Sequence, residues 1–177
     1  RESVAGRMLE PAGEVMALAD YRLRHACYRA DPDLQRLHGR IAMIASTDDH
    51  ESANDSWEGG AQNHQPGEGD WSARKAAALQ AWREWMPVSE QPWRAYEIGD
   101  LATLFRTETR LLARSRPPAL EELLRGASNP VSALTAFREG AWTDPARTMM
   151  GLEQEAWLYD GLRRSVRARK AWQLVGT

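Results

Sequence analysis

Between Glu14 and Ala30 the apolar side chains Val15, Leu18, Ala19, Leu23, Ala26 and Cys27 recur at helical spacing, so a helix is predicted over that stretch. Residues 1–13, punctuated by Gly6, Pro11 and Gly13, read as an irregular lead-in. Asp31-Pro32 supplies an N-cap and a first-turn proline, opening a short helix that Gly39 can end. The run "IAMIAS" (41–46) is short, apolar and closed off by charge, the pattern of a buried strand. Residues 52–70, "SANDSWEGGAQNHQPGEGD", are rich in Gly, Asn and Ser and predict a long loop; loops of that length without regular structure are often functional. Asp70 or Ser72 then caps a helix through "ARKAAALQAWREWM" (73–86), which Pro87 ends and on which Trp82 and Trp85 read as core or partial-core residues. "RAYEIG" (94–99) and "LATLFRTET" (101–109) flank Gly99-Asp100 as the arms of a hairpin. Helical pieces follow at 118–126, 131–139 and 152–164, the last expected to bury Leu152, Ala156, Tyr159 and Leu162 on one face. "AWQLVG" (171–176) closes the chain as a strand. Strands separated by helices define an α/β fold with high helix content.

Composition narrows the function classes. A chain of 177 residues is the size of one domain and can bury a real core, and 42% apolar residues with eight tryptophans are compatible with folding. The net charge is −2 with acids and bases interspersed, so the electrostatic footprint of a nucleic-acid binder is missing. No apolar run approaches the roughly 20 residues that span a bilayer. Cys27 is the only cysteine, which excludes an internal disulfide and a thiolate zinc cage. The chain begins at Arg1 without Met or a leader, and stops just after a strand-like run. Both ends look cut, and the expectation is a segment of a larger protein.

One point along the chain concentrates chemistry. "STDDHES" (46–52) places Asp48, Asp49, His50 and Glu51 in consecutive positions, where a strand would hand over to the long loop. In α/β folds ligand and catalytic residues gather at the carboxyl ends of strands. Hard cations want carboxylate oxygens, and a neighbouring His can hold or deliver a proton. A solvated turn accounts for the same spacing, and spacing alone favours it. The other histidines carry less. His25 and Cys27, two apart on a helix, face different ways, His38 suits a helix C-terminus, and His64 reads as a solvated loop residue. Arg22, Arg24 and Arg74 are able to face phosphate, with a solvated helix face the default for each.

Taken in order, five segments resemble the alkaline phosphatase D (PhoD-like) family of metallophosphoesterases. They are "LADYRLRHACYRADPDLQRLHGR" (18–40), "IASTDDHESANDSW" (44–57), "WSARKAAALQAWREWMPV" (71–88), "YEIGDLATLFRTETR" (96–110) and "MMGLEQEAWLYDGLRRS" (149–165). The resemblance implies a two-metal phosphoesterase of the calcineurin-like type, an α/β sandwich of which this chain would be an incomplete portion. It implies that "DDHE" is the family's version of a Gly-Asn-His-Glu/Asp motif. Asp49 then takes the place of a metal-binding Asn, with Asp48 a further candidate ligand, and His50 that of the histidine facing the leaving group. Glu51 would fix the loop or lie behind the ligands, Asn54 and Asp55 match the polar pair after the motif, and Arg74 matches a basic position opening the next helix. The chain departs from the family pattern at Thr47, where Trp is usual, at Glu108, which replaces Asp in an "LDTR"-like segment, and at Ser89, where Arg is usual.

The family's upstream cysteine-bearing strand end and Gly-Asp-x-x-Tyr type motif are not in these residues, nor is its downstream Gly-Asp-x-His type motif. The expectation is therefore one segment, 1–177, from the middle of a catalytic domain, with 52–70 as a loop near the active site. The resemblance implies two divalent or trivalent ions (Fe, Ca, Zn or Mn) bridging a hydroxide for in-line attack on phosphorus, with His50 delivering a proton to the departing alkoxide. It implies a phosphate ester substrate, small or of the cell envelope, and a periplasmic or extracellular location. Two other readings compete. A non-catalytic, helix-rich scaffold segment would fit a chain that lacks most of the ligands. A carboxylate-pair glycosidase ranks low, because the side chains of adjacent Asp48 and Asp49 in an extended segment point to opposite faces.

Overall fold

The Asp20 carboxylate accepts the N–H groups of Met16 and Ala17, and this cap starts α1 (Leu18–Arg29) one turn later than the apolar spacing predicts. Asp31 caps α2 (Pro32–His38) through the N–H groups of Asp33 and Leu34, and Gly39 ends it. Asp70, not Ser72, caps α3 (Trp71–Trp85), accepting from the Ala73 N–H at 3.0 Å. The computed structural model describes residues 9–177, so most of the predicted lead-in, 1–8, lies outside the described residues. Next come β1 (Arg94–Ile98), β2 (Ala102–Arg106), α4 (Leu120–Leu124), α5 (Pro130–Glu139), α6 (Leu152–Arg167) and β3 (Trp172–Gly176).

The helices α1 and α3 pack together around Tyr21, Ala78 and Ala81, with Val15, Leu18 and Ala77 alongside. Small residues on α3 let the two backbones approach. Outside that seam Arg22 meets Glu84 in a two-pronged pair, 2.6 Å at each prong. The hydrogen bonds from Arg22, joined by one from Gln80, hold the Glu84 carboxyl down at about 2. A carboxyl lowered on folding contributes stability above its unfolded value, here 4.5, and loses it as pH falls through the folded value. Glu84→Gln is therefore expected to melt below the native chain at pH 7, with the gap closing between pH 4.5 and about 2. An unchanged gap at pH 2 would mean that the ion pair is not the cause.

The sheet has the order β1-β2-β3, antiparallel at the predicted hairpin and parallel between β2 and β3. A parallel pair needs a crossover, which the segment holding α4, α5 and α6 provides. The strand β2 is the buried centre, and α6 covers one of its faces. Leu152, Ala156, Tyr159 and Leu162 are not the buried face of α6. Leu152 is 78% and Tyr159 62% exposed, whereas Gln154, Gly161 and Ser165 are buried. Close approach decides this. A side chain at Gly161 would come within 2.5 Å of the Phe105 ring. Phe105 also meets Trp157 edge-on at 5.8 Å, and Ser165 Oγ lies 2.9 Å from Thr103 Oγ1. Small and polar residues therefore line the contact that a count of apolar residues assigns to its neighbours.

The run 41–46 is not a buried strand. Ile41, Met43 and Ile44 are exposed, and no strand among the described residues pairs with it. Its end is instead tied by side chains to the end of β2: Ser46 Oγ donates to the Thr107 carbonyl at 2.6 Å and Arg106 to the Ala45 carbonyl at 3.4 Å. A second small core, Ala53, Ala61, Trp71 and Leu111 with Leu79 against it, joins the loop 52–70 to α3. That loop has no helix or strand, only an isolated bridge between Trp57 and Gly60.

Candidate active site

Because Ala45 and Ser46 are fastened to the end of β2, the residues that follow emerge at the carboxyl end of that strand. This is the position from which α/β folds present chemistry, reached through β2 rather than through the 41–46 run. The four residues of "DDHE" then part company. Asp49 turns inward, 7% exposed, while His50 stands out, its side chain 72% exposed.

Asp49 organises the turn. Its carbonyl accepts the N–H groups of Ser52 and Ala53, each at 2.9 Å, and the Ser52 hydroxyl at 3.0 Å. Its Oδ2 accepts the Asp55 N–H at 2.6 Å, with Asp55 in the left-handed region at φ 51°. Burial pushes the Asp49 carboxyl up. The N–H groups of Asp55 and of Asp49 itself, with the charges of His50 and Arg110, outweigh that and keep it below the usual carboxylate range. Asp48 is held at both ends, its N–H donating to Glu51 Oε2 at 2.5 Å and its carboxylate 2.8 Å from Arg110.

His50 faces Asn54. The amide nitrogen of Asn54 is turned to Gln62, which leaves Oδ1 to accept from His50 Nε2 at 2.8 Å and fixes that nitrogen as N–H. This hydrogen bond is the main reason why the imidazolium is held above its ordinary value. Slight burial opposes it, and the charges of Asp49, Asp48 and Glu51 reinforce it.

Arg74 and His64 are buried or nearly so, not solvated. Arg74 is 3% exposed and donates to the Tyr21 hydroxyl at 3.1 Å, the Asn63 carbonyl at 2.8 Å and Glu14 Oε1 at 2.9 Å. His64 tilts over Trp71 and lies 3.5 Å from Arg74. Arg22 and Arg24 are also engaged, with Glu84 and with the carbonyls of Glu10 and Pro11. Sequence reasoning gave no role to Tyr21, Arg110 or Arg114, and marked Glu108 only as a departure from the family pattern. Tyr21 donates to the Ser52 carbonyl at 2.7 Å and so ties α1 to the turn. Glu108 accepts the N–H groups of Arg110, Leu111 and Leu112. Arg110 and Arg114 stand beside the acids, and burial together with Arg110 pulls the Arg114 guanidinium down. The "TETRLLAR" spacing held a signal, an acid followed by two arginines four apart.

No group of three His, Cys, Asp or Glu side chains able to hold a metal ion occurs among the described residues. Asp49 Oδ2 is committed to a backbone N–H, Asp48 to Arg110, and His50 Nε2 to Asn54. These donors do not make a self-contained metal centre.

The architecture of the described residues, six helices and a three-stranded sheet, agrees with that of a known protein. The PhoD-like phosphatase family model matches residues 2–177, and the chain belongs to that family. Alkaline phosphatase D of Bacillus subtilis (strain 168) is 31% identical over 167 residues, 87% of this chain and 26% of that protein. A solved structure described as "Structure of PhoD" superposes with a TM-score of 0.66 at 28% identity, covering 93% of this chain and 30% of the other. The chain thus spans between a quarter and a third of the length of these relatives.

Proposed function

We propose that this chain is part of a metal-dependent phosphoric ester hydrolase, an incomplete portion of a calcineurin-like sandwich, and supplies the corner that handles the leaving group. The carrying observation is the pairing of an exposed His50, fixed and raised in proton affinity chiefly by its hydrogen bond to Asn54, with a buried Asp49 that shapes its turn. In this role His50 delivers a proton to the departing alkoxide oxygen. Asp49 sets the loop and is the carboxylate placed nearest to His50, 3.9 Å from its Nε2. Asp48 and Glu51 close the turn, Asn54 and Asp55 lock it from the far side, and Arg74 acts on it through Tyr21 and Ser52. The two ions and the hydroxide they would activate belong to the whole enzyme, since the donors of this segment do not enclose a metal.

Family membership, together with this geometry, supports a phosphate ester substrate, and the proposed site of action is the periplasm or the cell exterior. Among the described residues no helix is long and apolar enough to cross a membrane. The full-length protein with added divalent metal is expected to hydrolyse p-nitrophenyl phosphate or its diester. The 177-residue chain alone is expected to turn over neither. Absence of turnover by the full-length protein across Fe, Ca, Zn and Mn would favour the competing scaffold reading, and turnover by the segment alone would overturn the division of labour.

A further inference from the structure

A cavity of about 410 Å³ opens beside His50, between α1 and the turn that follows Asp49. Its two walls differ. The α1 side carries Tyr21, His25 and Tyr28, with Leu9 and Val15 nearby, whereas the other side carries His50, Asn54 and Asn63. His25 stacks on Trp85 at 6.2 Å with the ring planes 9° apart. Burial, helped by the charge of Arg29, pushes the His25 imidazolium down, which favours the neutral ring. The charged residues of the lining do not suit a phosphoryl group. Glu51 is an acid, Glu14 is paired with Arg74 at 2.9 Å, and Arg24 is turned onto the carbonyls of Glu10 at 3.1 Å and Pro11 at 2.6 Å. The volume is within the range of small-molecule sites.

We infer that this cavity is the subsite for the alcohol portion of the ester, and that it selects an uncharged, ring-bearing alcohol laid against Tyr28 and His25 with its ester oxygen turned to His50. The inference rests on the assignment of His50 to the leaving-group side. The phosphoryl group then stays outside the cavity, while the aromatic wall supplies the flat faces on which a ring stacks. An alcohol portion carrying its own anionic group meets the Glu51 carboxylate, finds Arg24 turned onto backbone carbonyls, and is disfavoured.

The test compares phenyl phosphate with methyl phosphate on the full-length enzyme and on its Tyr28→Ala, His25→Ala and Tyr28→Phe variants. The ratio of kcat/KM for phenyl over methyl ester is expected to fall about three- to tenfold in each alanine variant, mainly through KM. In Tyr28→Phe, which keeps the ring, the ratio is expected to hold. Alanine variants that lose activity equally on both esters, or on neither, would overturn the subsite. If the wild-type enzyme hydrolyses neither ester, the phosphoesterase reading itself fails and takes the subsite with it, a result distinct from an unchanged ratio in an active enzyme.

Discussion

Alanine at His50 in the full-length enzyme is expected to lower kcat on an alkyl phosphate by about 10²- to 10⁴-fold, the usual contribution of a positioned general acid. The loss is expected to depend on the alcohol released. An alkoxide is a poor leaving group and needs its proton in the transition state, whereas p-nitrophenolate departs as a stable anion. The same variant should therefore lose much less on p-nitrophenyl phosphate. Asn54→Ala is expected to show the same selectivity at smaller amplitude, because it frees the ring that Asn54 Oδ1 holds at 2.8 Å without removing it. Rates of His50→Ala and wild type across esters of graded leaving groups measure this directly. A loss of equal size on every ester would give His50 a binding or folding role in place of proton transfer. The slope against leaving group separates these roles, which a single rate does not.

The elements that sequence made legible are those specified by local chemistry. Asp31-Pro32 and Asp70 announce helix starts because a short side chain reaches back to an N–H within its own turn. Gly99-Asp100 announces a hairpin because the turn needs a positive φ, and Gly99 takes 49°. What failed depended on partners distant in sequence. The run 41–46 has a strand's composition, but no described strand lies beside it, and its apolar side chains stay exposed. Gly161 and Ser165 look like weak points of an amphipathic pattern until Phe105 and Thr103 fill the space they leave. In the site, the cluster "DDHE" was visible as charge, but its division into an inward Asp49 and an outward His50 was not. That division depends on which N–H groups the turn folds back onto the carboxylate. Tyr21, a helix residue with no charge, showed nothing of its link to Ser52, 31 positions away.

The second large effect is expected at Arg74 and concerns stability more than rate. Its guanidinium is 3% exposed and meets Tyr21, Asn63 and Glu14, so Arg74→Met would leave a hydroxyl and a carbonyl without their donor and remove the ion pair with Glu14. The Glu14 end of the pair is 36% exposed and adds little, but each buried polar group left without its partner costs about 1–3 kcal/mol. Arg74→Met in the full-length protein is therefore expected to lower the denaturation midpoint sharply, whereas Tyr21→Phe, which removes one hydroxyl, should cost about 0.5–1.5 kcal/mol. Arg74→Lys should rescue only part of the loss, because an ammonium does not reproduce the fan of donors that reaches three partners at once. Denaturant unfolding of the three variants, set beside KM for phosphate esters on the folded fraction, distinguishes the two roles open to a basic residue here. A phosphate ligand would raise KM and leave the midpoint near its native value. A residue that holds α1, α3 and the 52–64 loop around the turn would shift the midpoint and leave KM nearly unchanged. The hydrogen bonds already made by Arg74 favour the second outcome. They also connect the two predictions, because the Tyr21 hydroxyl that accepts from Arg74 donates in turn to Ser52, two residues beyond His50.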